Sequence, residues 1–340
     1  MQKINFTTRL RSVRSTLLSL SGIAALALLG LSISTRSEAK INGKIVLGFS
    51  QIGAESAWRV ADSKSIKDAA AAAGIKLIFS DAQQSQANQL KAIKSFILQK
   101  VDVIAFAPVV VTGWHEVLVR AKKAGIPVII LDRDIQEKDS SLYVTFIGAD
   151  FHEEGRRAGK CLLDYLHEQK ITGPVNIVEL RGTEGSAPAI QRKKGFTEVI
   201  ADDPNLKVIR SENGDFKENL GKELMEKVLK EEKSKGVNIN VLFAHNDNMA
   251  LGAIPAIEAF GLKPGKDIAI ISVDAIRDAF VAMKAGKLNC TVECSPLLGP
   301  QLMAAVKDLT DGKKLPRRII TQEGVFPAST AEKELPNRQY

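Results

Sequence analysis

The sequence predicts an α/β protein made of two doubly wound parallel-sheet lobes. Three observations carry this. Short, almost wholly apolar runs alternate with helical stretches along the chain, and a strand that is apolar on both faces belongs to a parallel sheet covered by helices. The alternation pauses once, over the charged stretch 134–141, and then restarts. Two runs of one pattern imply two similar lobes, although no sequence repeat of fixed period links them. Finally, 340 residues suffice for two domains, and 45% hydrophobic with 25% charged residues is ordinary globular composition.

The first 39 residues stand apart. Lys3, Arg9, Arg11 and Arg14 form a basic leader, residues 17–33 are mostly apolar, and Ser37-Glu38-Ala39 is a small-x-small site before Lys40. This is the pattern of a cleaved secretory signal peptide. Ser19, Ser21 and Ser32 interrupt the apolar stretch, which argues against an uncleaved membrane anchor. No cysteine follows it to carry a lipid, and no second apolar run is long enough to span a bilayer. The leader also holds half of the net charge. Of the formal +8, residues 1–39 supply four, through those four basic residues and Arg36 less Glu38. The mildly basic remainder is no footprint for a nucleic acid.

After Lys40 the elements follow in order. Residues 44–49 are a buried strand that ends in polar, glycine-containing sequence, and a helix runs from near Ser56 through alanines to Ala73. Residues 75–79 are a strand. Residues 86–99 are a helix with Leu90, Ile93 and Ile97 on one face. Strand 103–106, helix 114–124 and strand 128–131 complete the first run, the last entered through Gly125-Ile126-Pro127. The second run reads strand 142–147, helix 152–169, strand 175–180, helix 186–200, strand 207–211 and helix 216–232. It continues with strand 241–243, helix 248–260, strand 268–273, helix 277–285, strand 288–293 and helix 296–309, and residues 318–321 make a short last strand. Cys161, Cys290 and Cys294 are odd in number, so at least one is free or pairs between chains. Cys290 and Cys294 lie four apart in a strand-like run, about 13 Å if extended, too far to bridge each other. Both are expected as small buried apolar residues.

The chemistry lies at the ends of strands. Gln51, Glu55, Ser56, Trp58 and Arg59 cluster where the first strand turns into a helix. Leu131-Asp132-Arg133, Ala244-His245-Asn246-Asp247, Val273-Asp274 and Glu293-Cys294-Ser295-Pro296 close later strands, and Arg192 lies in the helix after Arg181-Gly182-Thr183-Glu184-Gly185. In open α/β sheets ligands bind outside the carboxyl ends of the strands. Any one of these residues alone serves equally as a cap or a surface ion pair; Asp247 and Asp274 suit helix caps well. Their recurrence on one rim argues for a cleft. Within it Glu55, Asp132 and Asp274 balance Arg59, Arg133 and Arg192, and buried charges are tolerated only when paired. A phosphate or carboxylate needs surplus positive charge. A balanced set of planar hydrogen-bonding groups with one indole suits a neutral polyhydroxylated ligand.

Catalytic readings fit poorly. Gly48-Phe49-Ser50-Gln51-Ile52 begins like a nucleophile elbow without its closing glycine. Gly261-Leu262-Lys263-Pro264-Gly265-Lys266-Asp267 is one residue short of a phosphate loop and precedes a strand instead of following one. His115, His152, His167 and His245 have no metal-ligand spacing and are expected at the surface or in packing roles. No enzyme activity, cofactor or metal is expected.

These motifs resemble those of periplasmic sugar-binding proteins of the ribose-binding type, which feed ATP-driven importers. The resemblance covers the whole region after the leader. It rests on Leu131-Asp132-Arg133, Gln191-Arg192-Lys193-Lys194-Gly195-Phe196, the run from Ala244 to Ala253 and Val273-Asp274. Phe49-Ser50-Gln51, Glu55-Ser56, Trp58-Arg59, Pro108-Val109-Val110 and Thr112-Gly113-Trp114 resemble the galactofuranose-binding branch. The resemblance implies ligand contacts at Glu55, Ser56, Trp58, Arg59, Asp132, Arg133, Arg192, Asn246 and Asp274, with Gln51 and Glu293 as weaker candidates. It implies the type I periplasmic binding protein fold, with crossings near Phe146-Ile147, residues 293–295 and residues 322–325. The lobes are then 40–146 with 295–322, and 147–294 with 323–340. It further implies a monomer that closes on a monosaccharide and delivers it to a membrane permease with its ATPase. A sensory protein presenting sugar to a chemoreceptor or kinase would share every ligand residue. Three departures bear on the ligand. Ala57 stands where the galactofuranose binders have glycine, Cys294 where ribose binders have glutamine, and Phe151-His152 replaces polar sequence near the rim.

Overall fold

The computed structural model describes residues 43–340; the expected leader lies outside the described residues. The chain runs β1 (Val46–Gln51), α1 (Ala57–Ala73), β2 (Lys76–Asp81), α2 (Gln86–Leu98), β3 (Val103–Phe106), α3 (His115–Lys123), β4 (Val128–Leu131) and β5 (Thr145–Gly148). It continues through α4 (Phe151–Glu168), β6 (Val175–Arg181), α5 (Ala187–Ile200), β7 (Leu206–Asn213), α6 (Glu218–Ser234), β8 (Val241–Ala244) and α7 (Asp247–Ala259). Then come β9 (Ala269–Asp274), α8 (Arg277–Lys284), β10 (Cys290–Glu293), α9 (Gly299–Thr310), β11 (Arg318–Ile320), β12 (Val325–Pro327) and α10 (Ala331–Glu334).

The strands form two six-stranded sheets of one topology. The first has the order β11-β5-β4-β3-β1-β2 and the second β12-β10-β9-β8-β6-β7. The central strands β3, β4 and β8 are buried along their whole length. Helices cover both sheet faces, and their apolar residues and those of the strands merge into common cores. The expected parallel pairing runs through both sheets except at one edge, where β12 lies antiparallel to β10. Val325-Phe326-Pro327 was not expected as a strand. Its pairing comes from where the chain returns after its last crossing, not from its own pattern. Pro327 has no N–H to give a ladder, which suits an edge.

Three crossings join the lobes, and the first departs from expectation. Residues near Phe146-Ile147 lie inside β5, because Leu131 pairs with Ile147 and Ile320 with Gly148 in the first sheet. The chain leaves that sheet at residues 149–150. Residues 142–144, read as the start of this strand, begin in a 3₁₀ turn at Ser140–Leu142, where Asp139 accepts from Ser141 N. The second crossing is 294–298, after which α9 returns to the first lobe, Gly299 N donating to Ser65 Oγ at 3.1 Å. The third is 321–324. The lobes meet across the cleft: Ala57 N donates to Asn248 Oδ1 at 3.2 Å and Val111 N to Gly185 O at 2.9 Å. The conformation is closed.

Two features of the second lobe prepare the site. Helices α4 and α5 touch backbone to backbone through paired glycines. A Cβ on Gly155 would meet Arg192 O at 2.2 Å, and one on Gly195 would meet His152 O at 2.1 Å. This approach brings Arg192 beside the first turn of α4. The second feature is a disulfide between Cys161 of α4 and Cys290 of β10. It corrects the reading of Cys290 as an apolar filler; Cys294 is free and buried, as expected. Sequence spacing could not find a bond closed across 129 residues. A disulfide typically stabilises by about 2–4 kcal/mol, mainly through the unfolded chain. Among the described residues no helix is long and apolar enough to cross a membrane.

Candidate ligand-binding site

A small cavity lies between the lobes, at the carboxyl ends of both sheets. Its lining includes Glu55, Ser56, Trp58, Arg59, Asp132, Arg133, Arg192, Asn246 and Asp274. The structure therefore brings the nine sequence-predicted residues to one place.

The first lobe builds its half from two strand ends. Ser56 caps α1, its Oγ accepting from Arg59 N at 3.2 Å. The cap sets Trp58 and Arg59 in the first turn, over the end of β1. The indole N–H of Trp58 donates to Cys294 O at 2.6 Å, and the Arg59 guanidinium lies 4.6 Å from the indole ring. Asp132 follows β4 with φ +60°, in the left-handed region. Such a conformation in a non-glycine residue persists only where its surroundings hold it. Here Arg59 Nη2 donates to Asp132 Oδ2 at 2.6 Å. Arg59 Nε also donates to Glu55 Oε1 at 3.3 Å, while Arg133 approaches Glu55 at 3.7 Å and Asp132 at 4.0 Å. Burial disfavours the charged guanidinium of Arg59, but Asp132, Glu55 and Asp62 together outweigh it and hold its pKa above the ordinary value. Arg133 is pulled down to about 10 by burial and then by the Arg59 charge.

The second lobe supplies Arg192, Asn246 and Asp274. Arg192 Nε donates to Glu154 Oε2 at 2.7 Å, Nη1 donates to His245 O, and Nη2 stands 3.7 Å from Asp274. Asn246 caps α7, accepting from Met249 N at 3.0 Å and donating to Phe216 O at 3.2 Å. Asp247, considered above as a cap, instead accepts from Ser272 Oγ, Thr291 Oγ1 and Ile276 N in the core. Asp274 caps no helix either. Its φ is +121° and that of Ala275 +60°, so the turn after β9 is strained where it faces the cavity. Burial pushes the Asp274 carboxyl well up, Arg192 opposes this, and Asp247, Glu154 and Asp132 add to it.

Two candidates lie elsewhere. Gln51 does not line the cavity; its Nε2 donates to Asp62 at 2.9 Å and its Oε1 accepts from Arg59 at 3.3 Å, so it stands behind the arginine. Glu293 is a hinge residue. It accepts from Gly324 N at 2.9 Å, Arg338 at 3.0 Å and the Tyr340 hydroxyl at 3.3 Å, which latch the C-terminal tail. Four lining residues were not expected as contacts: Phe151, Pro188, Phe216 and Cys294. Phe151 and Cys294 are departures from the resembled pattern, and Cys294 also lies in the strand-end motif Glu293-Cys294-Ser295-Pro296. Phe216 lies 5.0 Å from the Arg133 guanidinium and 6.0 Å from that of Arg192. Gly182 seats it, since a Cβ there would come within 1.8 Å of the ring. Its position after β7 was the available signal. Asp62 and Glu154, the buried acids behind Arg59 and Arg192, were also missed.

The profile of the family described as periplasmic binding protein domain matches residues 47–314, most of the chain. This chain belongs to the periplasmic binding protein family. The galactofuranose-binding protein YtfQ of Escherichia coli (strain K12) is 46% identical over 87% of this chain and 92% of its own length. A Mycobacterium smegmatis protein solved in complex with β-D-fucofuranose is 53% identical over 87% of this chain and 95% of its own, with TM-score 0.83. The binding component of the arabinose ABC transporter of Shewanella sp. ANA-3, solved with α- and β-L-arabinofuranose, is 48% identical over 86% and 95%, with TM-score 0.82.

In this periplasmic binding protein three acids and three arginines line the cavity, all with buried side chains, Glu55 and Asp132 beside Arg59 and Arg133 on the first lobe and Asp274 beside Arg192 on the second. Asp62 and Glu154 add negative charge behind them. Glu55 Oε2 is buried without a hydrogen-bond partner. A buried acceptor left unmade is costly, and a ligand hydroxyl would satisfy it.

Proposed function

We propose that this protein captures a neutral monosaccharide between its lobes and hands it to the permease and ATPase of an ABC importer. Galactofuranose, or a sugar of similar furanose form, is the proposed ligand, with contacts at the nine predicted lining residues. The observation that carries this is the set of three acids and three arginines lining one cavity between the lobes, with an unpartnered carboxylate oxygen on Glu55. The furanose ligands named for the similar proteins support the same class. Closure buries the sugar, and no chemistry is done on it.

Thermal melting tests the ligand class. D-Galactose, D-fucose and L-arabinose, which supply furanose forms in water, are expected to raise Tm, because a ligand stabilises through its affinity for the folded state. Their phosphates are expected to leave it unchanged. A larger rise with a sugar phosphate would overturn the charge argument. We place the mature protein in the periplasm, with its leader removed near Lys40. The Cys161–Cys290 disulfide supports an oxidising compartment. Mass spectrometry of the secreted protein should read a start near Lys40, and a full-length membrane-bound product would contradict it.

A further inference from the structure

Behind Arg192 lies a cluster whose two carboxylates, the buried Glu154 and the half-buried Glu323, do not line the ligand cavity, while its thiol, Cys294, does. It joins Glu154 in the first turn of α4, Cys294 in the second crossing and Glu323 in the third. One oxygen of each carboxylate and the Cys294 sulfur lie within 4.8 Å of one another. Glu154 Oε2 is taken by Arg192, but Oε1 is buried and receives no hydrogen bond from any N–H or hydroxyl. Glu323 Oε1 accepts from Ser295 N at 3.1 Å and Thr321 Oγ1 at 3.0 Å. What faces the unpartnered Glu154 oxygen is thus the Glu323 carboxyl and the Cys294 thiol. Two ionised carboxylates do not share such a site; one of them keeps a proton. The Arg192 guanidinium already supplies the cation on the other side of Glu154.

We propose that Glu323 keeps a proton in the closed molecule, donates a hydrogen bond through it to the Glu154 carboxylate, and so holds Arg192 in the ligand cavity. Glu154 is then a positioning residue for Arg192, and Glu323 is its proton-bearing partner in the hinge. The proposal rests on the sugar-capture reading, because Arg192 is the group through which it acts. Burial pushes Glu323 up to about 9, the Glu154 charge being the next cause. Burial also raises Glu154, against the pull of Arg192, and keeps the Cys294 thiol protonated. The other charged groups facing the cluster are Asp274 at the end of β9, which interacts with Glu154 and Cys294, and Arg157 of α4, which donates to the Glu323 backbone carbonyl at 2.8 Å. An unfolded glutamate titrates near about 4. The stability from a raised Glu323 is therefore fully present below about pH 4 and is lost as pH rises through about 9.

The test compares wild type with Glu323→Gln, whose amide donates to Glu154 at every pH and still accepts from Ser295 and Thr321. Melting of the ligand-free proteins from pH 6 to 10 should show Tm falling more steeply in wild type than in the variant. Titration with D-galactose and L-arabinose should show wild type losing affinity severalfold between pH 7 and 9.5, and Glu323→Gln losing much less. Glu154→Gln should bind at least tenfold more weakly than wild type at pH 7. Parallel melting profiles overturn the shared proton. Divergent melting with identical affinity profiles overturns the positioning of Arg192. If no sugar binds at any pH the proposed function fails, and the melting comparison still decides the proton.

Discussion

Asp132→Asn is expected to weaken sugar binding about a hundredfold while leaving the protein folded. Asp132 closes the first-lobe network. It holds Arg59 at 2.6 Å, lines the cavity and sits at φ +60°. Asparagine keeps the size and tolerates the left-handed backbone, so the change isolates the charge. Losing a charge-assisted hydrogen bond to the ligand costs about 1.5–3 kcal/mol, at its upper end roughly a hundredfold in Kd. Glu55 and Asp62 remain near Arg59, at 3.3 and 3.4 Å, and keep its charge paired in the folded variant. Calorimetry with the best sugar of the thermal screen reads the affinity, and the melt of the free variant reports folding. Near wild-type affinity would remove Asp132 from the ligand contacts.

Arg192→Ala is expected to cost a hundredfold or more and to impair closure as well. Arg192 pairs with Glu154, donates to the His245 carbonyl and faces Asp274. Alanine leaves two buried acids without their cation. These take up protons, with Asp274 already pushed well up by burial. The ligand therefore loses a charged donor, and the second lobe loses the group that draws it onto the ligand. A ligand closes a hinge only through its preference for the closed state. Small-angle scattering with saturating sugar should show wild type compacting and Arg192→Ala compacting less. Equal compaction and affinity would make Arg192 a structural helix residue and the assignment at that position wrong.

Much was legible in the sequence because it is locally encoded. Apolar runs such as Val128–Leu131 can lie only in a sheet covered on both faces. Their alternation with helices, broken once, marks two lobes. Polar residues that end such strands, Asp132, Asn246 and Asp274 among them, must fall on one rim. Tertiary structure alone decided what depends on partners distant in the chain. Cys161 meets Cys290 only because α4 packs beside β10. Val325–Pro327 becomes a strand because the third crossing lays it against β10. Gln51 and Glu293 lie at strand ends like the true lining residues, yet Asp62 turns the first away from the cavity and Arg338 the second. Asp62 and Glu154 sit in helices, where a pattern of polar residues reads as solvated surface. Only packing reveals that the arginines they face are buried and must be neutralised from behind.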